Sequence, residues 1–218
     1  MGVGILDLVN FLVVLVLSTA LHEAAHAHLA DRFGDDTPRR HGRITLNPFP
    51  HLDPMMSVIV PGAIYWMSGG KAFLCAAWTP VNPFAMRDRR LHPMLTALGG
   101  PAVNLALGLL AVAAWAASLA ADSAPAAEVA KLFVRVNVFM GLFNLLPIPP
   151  LDGGNLVQGL LPQRLQGAFW EFRRYSFWVL LALLFTNVLD RTLFPLIWAA
   201  EDAAEGAAHA LAGVPLGR

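Results

Sequence analysis

Charge is scarce in this 218-residue chain: Asp, Glu, Lys and Arg make up 14% of it, where soluble domains carry roughly 25%. Apolar residues fill the difference, at 56%. A soluble domain of this length could not hide so much apolar surface, so the composition describes an integral membrane protein with several spans. Cysteine is almost missing as well. Cys75 stands alone, which excludes an internal disulfide and leaves it as a small apolar filler. Net charge is zero and only two of the 15 basic residues are lysines. No basic stripe interleaved with aromatics runs along the chain, so nucleic acid is not an expected partner. The first apolar run lacks a basic flank and carries a polar motif, so it does not read as a cleavable signal peptide.

What is present is a series of long apolar runs, at about 5–30, 54–68, 94–121, 129–149 and 175–199. Each reaches or approaches the roughly 20 residues that cross a hydrocarbon core. The expected fold is an all-α polytopic membrane protein of about five membrane segments, forming one domain over 1–218 with an extra C-terminal span at about 175–199. The second run is short and is followed by the proline-broken KAFLCAAWTPVNP (71–83), so 54–84 reads as a hairpin that enters the membrane and returns. Arginines set the orientation. Arg32, Arg39, Arg40 and Arg43, then Arg87, Arg89 and Arg90, then Arg164, Arg173 and Arg174 are expected on the cytoplasmic side. The N-terminus, the 122–131 loop and the acidic tail (Glu201, Asp202, Glu205) then face outward. HGRITLNP (41–48), with Ile44 and Thr45, reads as a short strand, and TPVNP (79–83) echoes its ending, so a small β-sheet at the membrane surface is expected.

Into the first apolar run the chain places HEAAH, residues 22–26. On a helix, residues four apart differ by about 40° around the axis and one turn along it. His22 and His26 therefore share a face and can grip one metal ion, with Glu23 beside them to take a proton from water. This is the arrangement of zinc hydrolases. Ionisable groups in a membrane cost about 2.5–3.5 kcal/mol each at mid-bilayer, and three in five residues would be an expensive accident. Counting from Leu8, His22 lies roughly 20 Å into the membrane at 1.5 Å per residue, nearer the cytoplasmic side. His28 points away from His26 and is expected at solvent or an interface.

Catalytic zinc needs a third protein ligand. A third His in the extended motif is ruled out by Leu29 and Arg32, and no Glu occurs between Glu23 and Glu128. His41, His51 and Asp53 lie in the surface loop. FNLLPIPPLDGGN (143–155) offers more: an apolar span broken by three prolines, then Asp152 before two glycines that permit close approach. Irregular backbone at membrane depth is tolerated where it lines a cavity. By the topology above, this segment runs parallel to the first, which puts Asp152 and HEAAH at the same end.

With both motifs in hand, the chain resembles the site-2 protease family of intramembrane zinc metalloproteases. His22-Glu23-x-x-His26, Asn144-x-x-Pro147-x-x-x-Leu151-Asp152-Gly153 and GGPAVN (99–104) carry the resemblance, which covers about residues 10–160. GRITLNPFPHLDP and TPVNP resemble the short bacterial and archaeal members. The resemblance implies a three-helix catalytic core, Zn2+ held by His22, His26 and Asp152, and Glu23 as general base and acid. It implies that Asn144 holds substrate or stabilises the oxyanion, and raises the same question for Asn104. No PDZ or cystathionine-β-synthase-type regulatory domain is expected within these 218 residues. Its substrates would be transmembrane proteins or peptides in a prokaryotic cell membrane, with the unwound segment received by strand addition at 43–47 or on the 71–84 return arm. Two rivals are an inactive membrane scaffold or metal carrier with a protease-like core, and a membrane hydrolase acting on lipid.

Overall fold

A computed structural model of the protein describes residues 4–67, 69, 77–186 and 188–215. Cys75 and most of the return arm before Ala77 lie outside the described residues. The first helix, α1 (Ile5–Arg32), is 28 residues long and so extends about 42 Å. Its two faces separate cleanly. Ile5, Val9, Val13 and Leu17, spaced by four, are exposed, while Phe11, Val14, Leu15, Ser18, His22 and His26 are buried. A continuous exposed apolar stripe calls for a lipid neighbour, and the buried face carries the polar motif inward.

After α1 the chain turns at Gly34, whose φ of +109° only glycine adopts readily, into the single-turn α2 (Thr37–Arg40). A short π-helical segment at Pro54–Ile59, capped by Asp53 Oδ1 on Met56 N–H, runs into α3 (Val60–Met67). The α3 helix packs on α1, with Tyr65 stacked on Phe11 at a ring separation of 3.8 Å. Leu52 and Ala77 form an antiparallel bridge, so the chain before and after this segment lies side by side, as a returning hairpin requires.

The remaining helices are α4 (Leu91–Ala120), α5 (Ala124–Asn144), α6 (Asp152–Leu160), α7 (Gln163–Phe185) and α8 (Val188–Ala212). The α4 helix packs along both α1 and α5, and also meets α6 and α8. One apolar cluster joins Phe11 and Leu15 of α1 to Val136 and Phe139 of α5 and Leu193 and Ile197 of α8. A second joins Trp115 of α4 to Ala127 and Val134 of α5 and Ala208 of α8. Among the described residues, α1 and α4 are the helices long and apolar enough to cross a membrane, and the apolar stretch Pro54–Met67 is shorter.

Two expectations need correction. No β-sheet forms among the described residues, and 43–47 is not a strand. Gly42 has φ +66°, Arg43 N–H turns back to Pro38 O, and Thr45 N–H to Arg43 O. Thr45 Oγ1 then accepts from Asn47 N–H, and Asn47 Oδ1 from Phe49 N–H. These local bonds occupy backbone groups that a ladder would need. The run 175–199 is not one continuous helix either. It falls across the end of α7, where Thr186, a poor helix former, is the C-cap, and the start of α8.

Candidate metal centre

The glycine pair 99–100 brings α4 against α1 where HEAAH lies. A Cβ on Gly100 would sit 2.5 Å from His22 Cε1 and Nε2 and from His26 Nε2, so both imidazoles rest on bare backbone. From the other side, α6 delivers Asp152 as its first residue. Gly153 and Gly154 make this possible. A Cβ on Gly153 would overlap the carbonyl oxygens of Leu145 and Leu146, and one on Gly154 would overlap Pro149 N. The proline-broken loop 145–151 thus folds directly onto the start of α6.

His22 Nε2 and His26 Nε2 are 3.1 Å apart, and Asp152 Oδ2 lies 3.2 Å from the first and 3.3 Å from the second. The partners of the opposite ring nitrogens decide what these atoms are. His26 Nδ1 is 2.7 Å from Thr96 O, a carbonyl that can only accept, so Nδ1 carries the hydrogen. For His22 the reasoning passes through two amides. Asn137 Nδ2 donates to Phe133 O and to Ser18 Oγ. Asn137 Oδ1 therefore faces, and accepts from, Asn104 Nδ2 at 2.8 Å. Asn104 Oδ1 is left to accept from His22 Nδ1 at 2.5 Å. In neutral rings both Nε2 atoms then present lone pairs to each other and to a carboxylate oxygen, and buried Asp152 Oδ2 has no hydrogen-bond donor.

Three facing acceptors without a donor need a cation between them. A tetrahedral ion bound at 2.0–2.1 Å spaces its ligands about 3.3–3.4 Å apart, close to the separations here. Among the described residues these three are the group of His, Cys, Asp or Glu side chains able to hold a metal. Glu23, also buried, accepts a 2.6 Å hydrogen bond at Oε2 from Thr79 Oγ1. All four residues line a cavity of about 990 Å³, together with Trp78, Phe139, Phe143 and Asn144.

A family profile, Peptidase family M50, matches residues 10–187. The chain belongs to this family, the site-2 proteases. Its relatives include the candidate zinc metalloprotease YwhC of Bacillus subtilis, 34% identical over 206 residues that cover 91% of this chain and 90% of YwhC. Another, Rip2 of Mycobacterium tuberculosis, is 33% identical over 215 residues, 97% of this chain and 78% of Rip2. No solved structure matches the chain significantly.

For this site-2 protease family member, the structure brings His22, His26 and Asp152 together beside Glu23. Asn144 lines the same cavity and spends one of its two amide hydrogens on Met140 O, 3.0 Å away within α5. The weighed alternatives fall elsewhere. His28 is exposed and bonds Ala24 O; His41 is exposed and bonds Thr37 O. His51 is buried against Thr45 O, and Asp53 caps the π-helical segment. Sequence reading passed over Ser18, Thr79 and Asn137. Asn137 inside the apolar run 129–149 was a signal, because an uncompensated amide in a membrane is costly. Thr79 was visible only as part of a supposed strand ending.

Proposed function

We propose that the chain is an intramembrane zinc endopeptidase that hydrolyses peptide bonds within or beside transmembrane helices of membrane-protein substrates. Its site lies nearer the cytoplasmic side of a prokaryotic cell membrane. The observation that carries this reading is the meeting of three lone-pair donors from α1 and α6 with the Glu23 carboxylate in one cavity. His22, His26 and Asp152 hold the zinc. When bound there, zinc supplies a Lewis acid that makes water acidic near neutral pH and polarises a carbonyl.

The chain's own residues supply the rest. Glu23 takes the proton from the attacking water and returns it to the leaving amine. Asn144 offers its second amide hydrogen to the oxygen that becomes negative at the scissile carbonyl. The walls of the cavity divide by chemistry: Trp78, Phe84, Phe139, Phe143 and Leu180 are apolar, while Asn155, Gln158, Gln163 and Gln166 are amides. This suits a helix end that leaves lipid and unwinds, and residues 77–84 of the return arm receive it. The relatives' names place them among zinc metalloproteases, which supports the same chemistry here.

Glu23→Gln tests the reading. The purified variant is expected to retain zinc and to lose cleavage of membrane-helix substrates, compared by mass spectrometry of membrane fragments with wild type. A metal carrier or scaffold would show no difference between the two proteins, and a lipid hydrolase would change lipids and leave peptides intact.

A further inference from the structure

Glu23 has one partner outside its own helix among the described hydrogen bonds, the hydroxyl of Thr79 at 2.6 Å from Oε2. The same hydroxyl lies 3.3 Å from Glu23 O, so it sits over the start of the residue as well as its tip. Thr79 is buried and flanked by Trp78 and Val81, which line the cavity. Its segment is lashed down on both sides. Ala77 bridges to Leu52. Asn82 N–H donates to Asp35 Oδ2 at 2.6 Å, and Asp35, fully buried, accepts also from Thr37 N–H and donates its own N–H to Ala30 O of α1. Pro80 stiffens the segment between these ties, and Pro83 follows directly after the second. The wall of the cavity and the carboxylate beside the metal donors are therefore one hydrogen-bonded unit.

We infer that Thr79 is a positioning residue for the general base: its hydroxyl holds Glu23 Oε2 and so directs Oε1 at the attacking water, with Asp35 anchoring the segment that carries it. A flexible glutamate has several rotamers in a cavity this size, and a base must lie within hydrogen-bond reach of the proton it removes. A donor on Oε2 removes that freedom. The inference rests on the proteolytic reading for its effect on turnover, but the hydrogen bond itself can be tested without it.

The experiment compares zinc-loaded wild type, Thr79→Val and Thr79→Ser, with Glu23→Gln as the reference. Infrared difference spectra against Glu23→Gln isolate the Glu23 carboxylate stretch. Thr79→Val is expected to shift that band, lower kcat by about tenfold or more, and leave KM and zinc content within about twofold of wild type. Thr79→Ser is expected to restore both band and kcat. An unshifted band, or a Thr79→Val enzyme with wild-type kcat, overturns the proposal, as does a Thr79→Ser variant no better than Thr79→Val. Should Thr79→Val not accumulate as folded protein, Thr79→Ala removes the hydroxyl without adding an apolar branch and is read the same way. If wild type cleaves no membrane-helix substrate, the proteolytic reading fails, and the infrared band alone decides whether Thr79 holds Glu23.

Discussion

Phe133 O can only accept, and from that constraint the amides of Asn137 and Asn104 and the imidazole of His22 take their orientations in turn. Both asparagines are fully buried, so water cannot substitute for a missing partner. Asn137→Leu keeps similar bulk and cuts this chain two bonds away from the metal donors. Its zinc affinity, measured by competition with a chelator, should fall about 10–100-fold, the usual cost of losing outer partners of a ligating histidine. Wild-type affinity in that variant would show that the network is idle. Gly100→Ala acts at closer range, because its Cβ would stand 2.5 Å from both imidazole Nε2 atoms. The expected result is loss of stoichiometric zinc in a protein with unchanged circular dichroism. At this scale the sequence was legible where chemistry demands a motif, as in HEAAH and LDGG. It was mute about Thr79, since a hydroxyl 56 residues from Glu23 leaves no spacing to read.

The element that carries Asp152 depends on two glycines whose neighbours are backbone atoms, which cannot swing aside. Gly153→Ala should therefore displace the start of α6 and abolish zinc binding, whereas Gly206→Ala, with nothing within 4 Å of its Cβ in α8, serves as the control. The control should be neutral or stabilising by up to about 1 kcal/mol, since alanine is the better helix former. Just ahead of the α4 helix, Asp88 Oδ1 accepts from the N–H groups of Leu91 and Arg90. Those bonds hold its carboxyl below the ordinary carboxylate range. A depressed folded-state pKa means that stability is present above the unfolded value near 3.9 and fades as pH falls through the folded one. Asp88→Ala should accordingly lower the Tm in detergent at pH 7, with the gap from wild type closing as acid protonates the folded-state carboxyl. Helices were the readily legible elements, because apolar runs such as 5–30 and 94–121 leave little alternative within a membrane. The strand at 43–47 was misread because Ile44 and Thr45 report β-propensity, while Gly42 and the side chains of Thr45 and Asn47 decide the backbone. The break after Phe185 escaped because the apolar residues before Thr186 mask a single weak helix former.

Across the whole molecule, the arginine-bearing loops gather at one end. Arg87 donates to Arg32 O and Phe33 O, and Arg90 to Gly159 O and Leu160 O, so the end of α1, the start of α4 and the end of α6 lie together. At the opposite end are the α4–α5 turn and the ion pairs of α8 with α5, Lys131–Glu205 and Arg135–Glu201. Arginine excess is retained on the cytoplasmic side, which predicts that this end of the proposed protease faces the cytoplasm. In a Cys75→Ser background, Arg40→Cys and Arg89→Cys should react with an impermeant maleimide in inverted vesicles, and Ser123→Cys and Gly213→Cys only in right-side-out ones. The metal donors follow the same axis. His26 precedes Arg32 by six residues, about 9 Å along the helix, and the cavity reaches Arg89 and Arg173. An impermeant chelator should therefore strip zinc faster from inverted than from right-side-out vesicles. The reverse order, with the maleimide pattern as expected, would mean that the cavity opens towards the other face and that substrate enters from there.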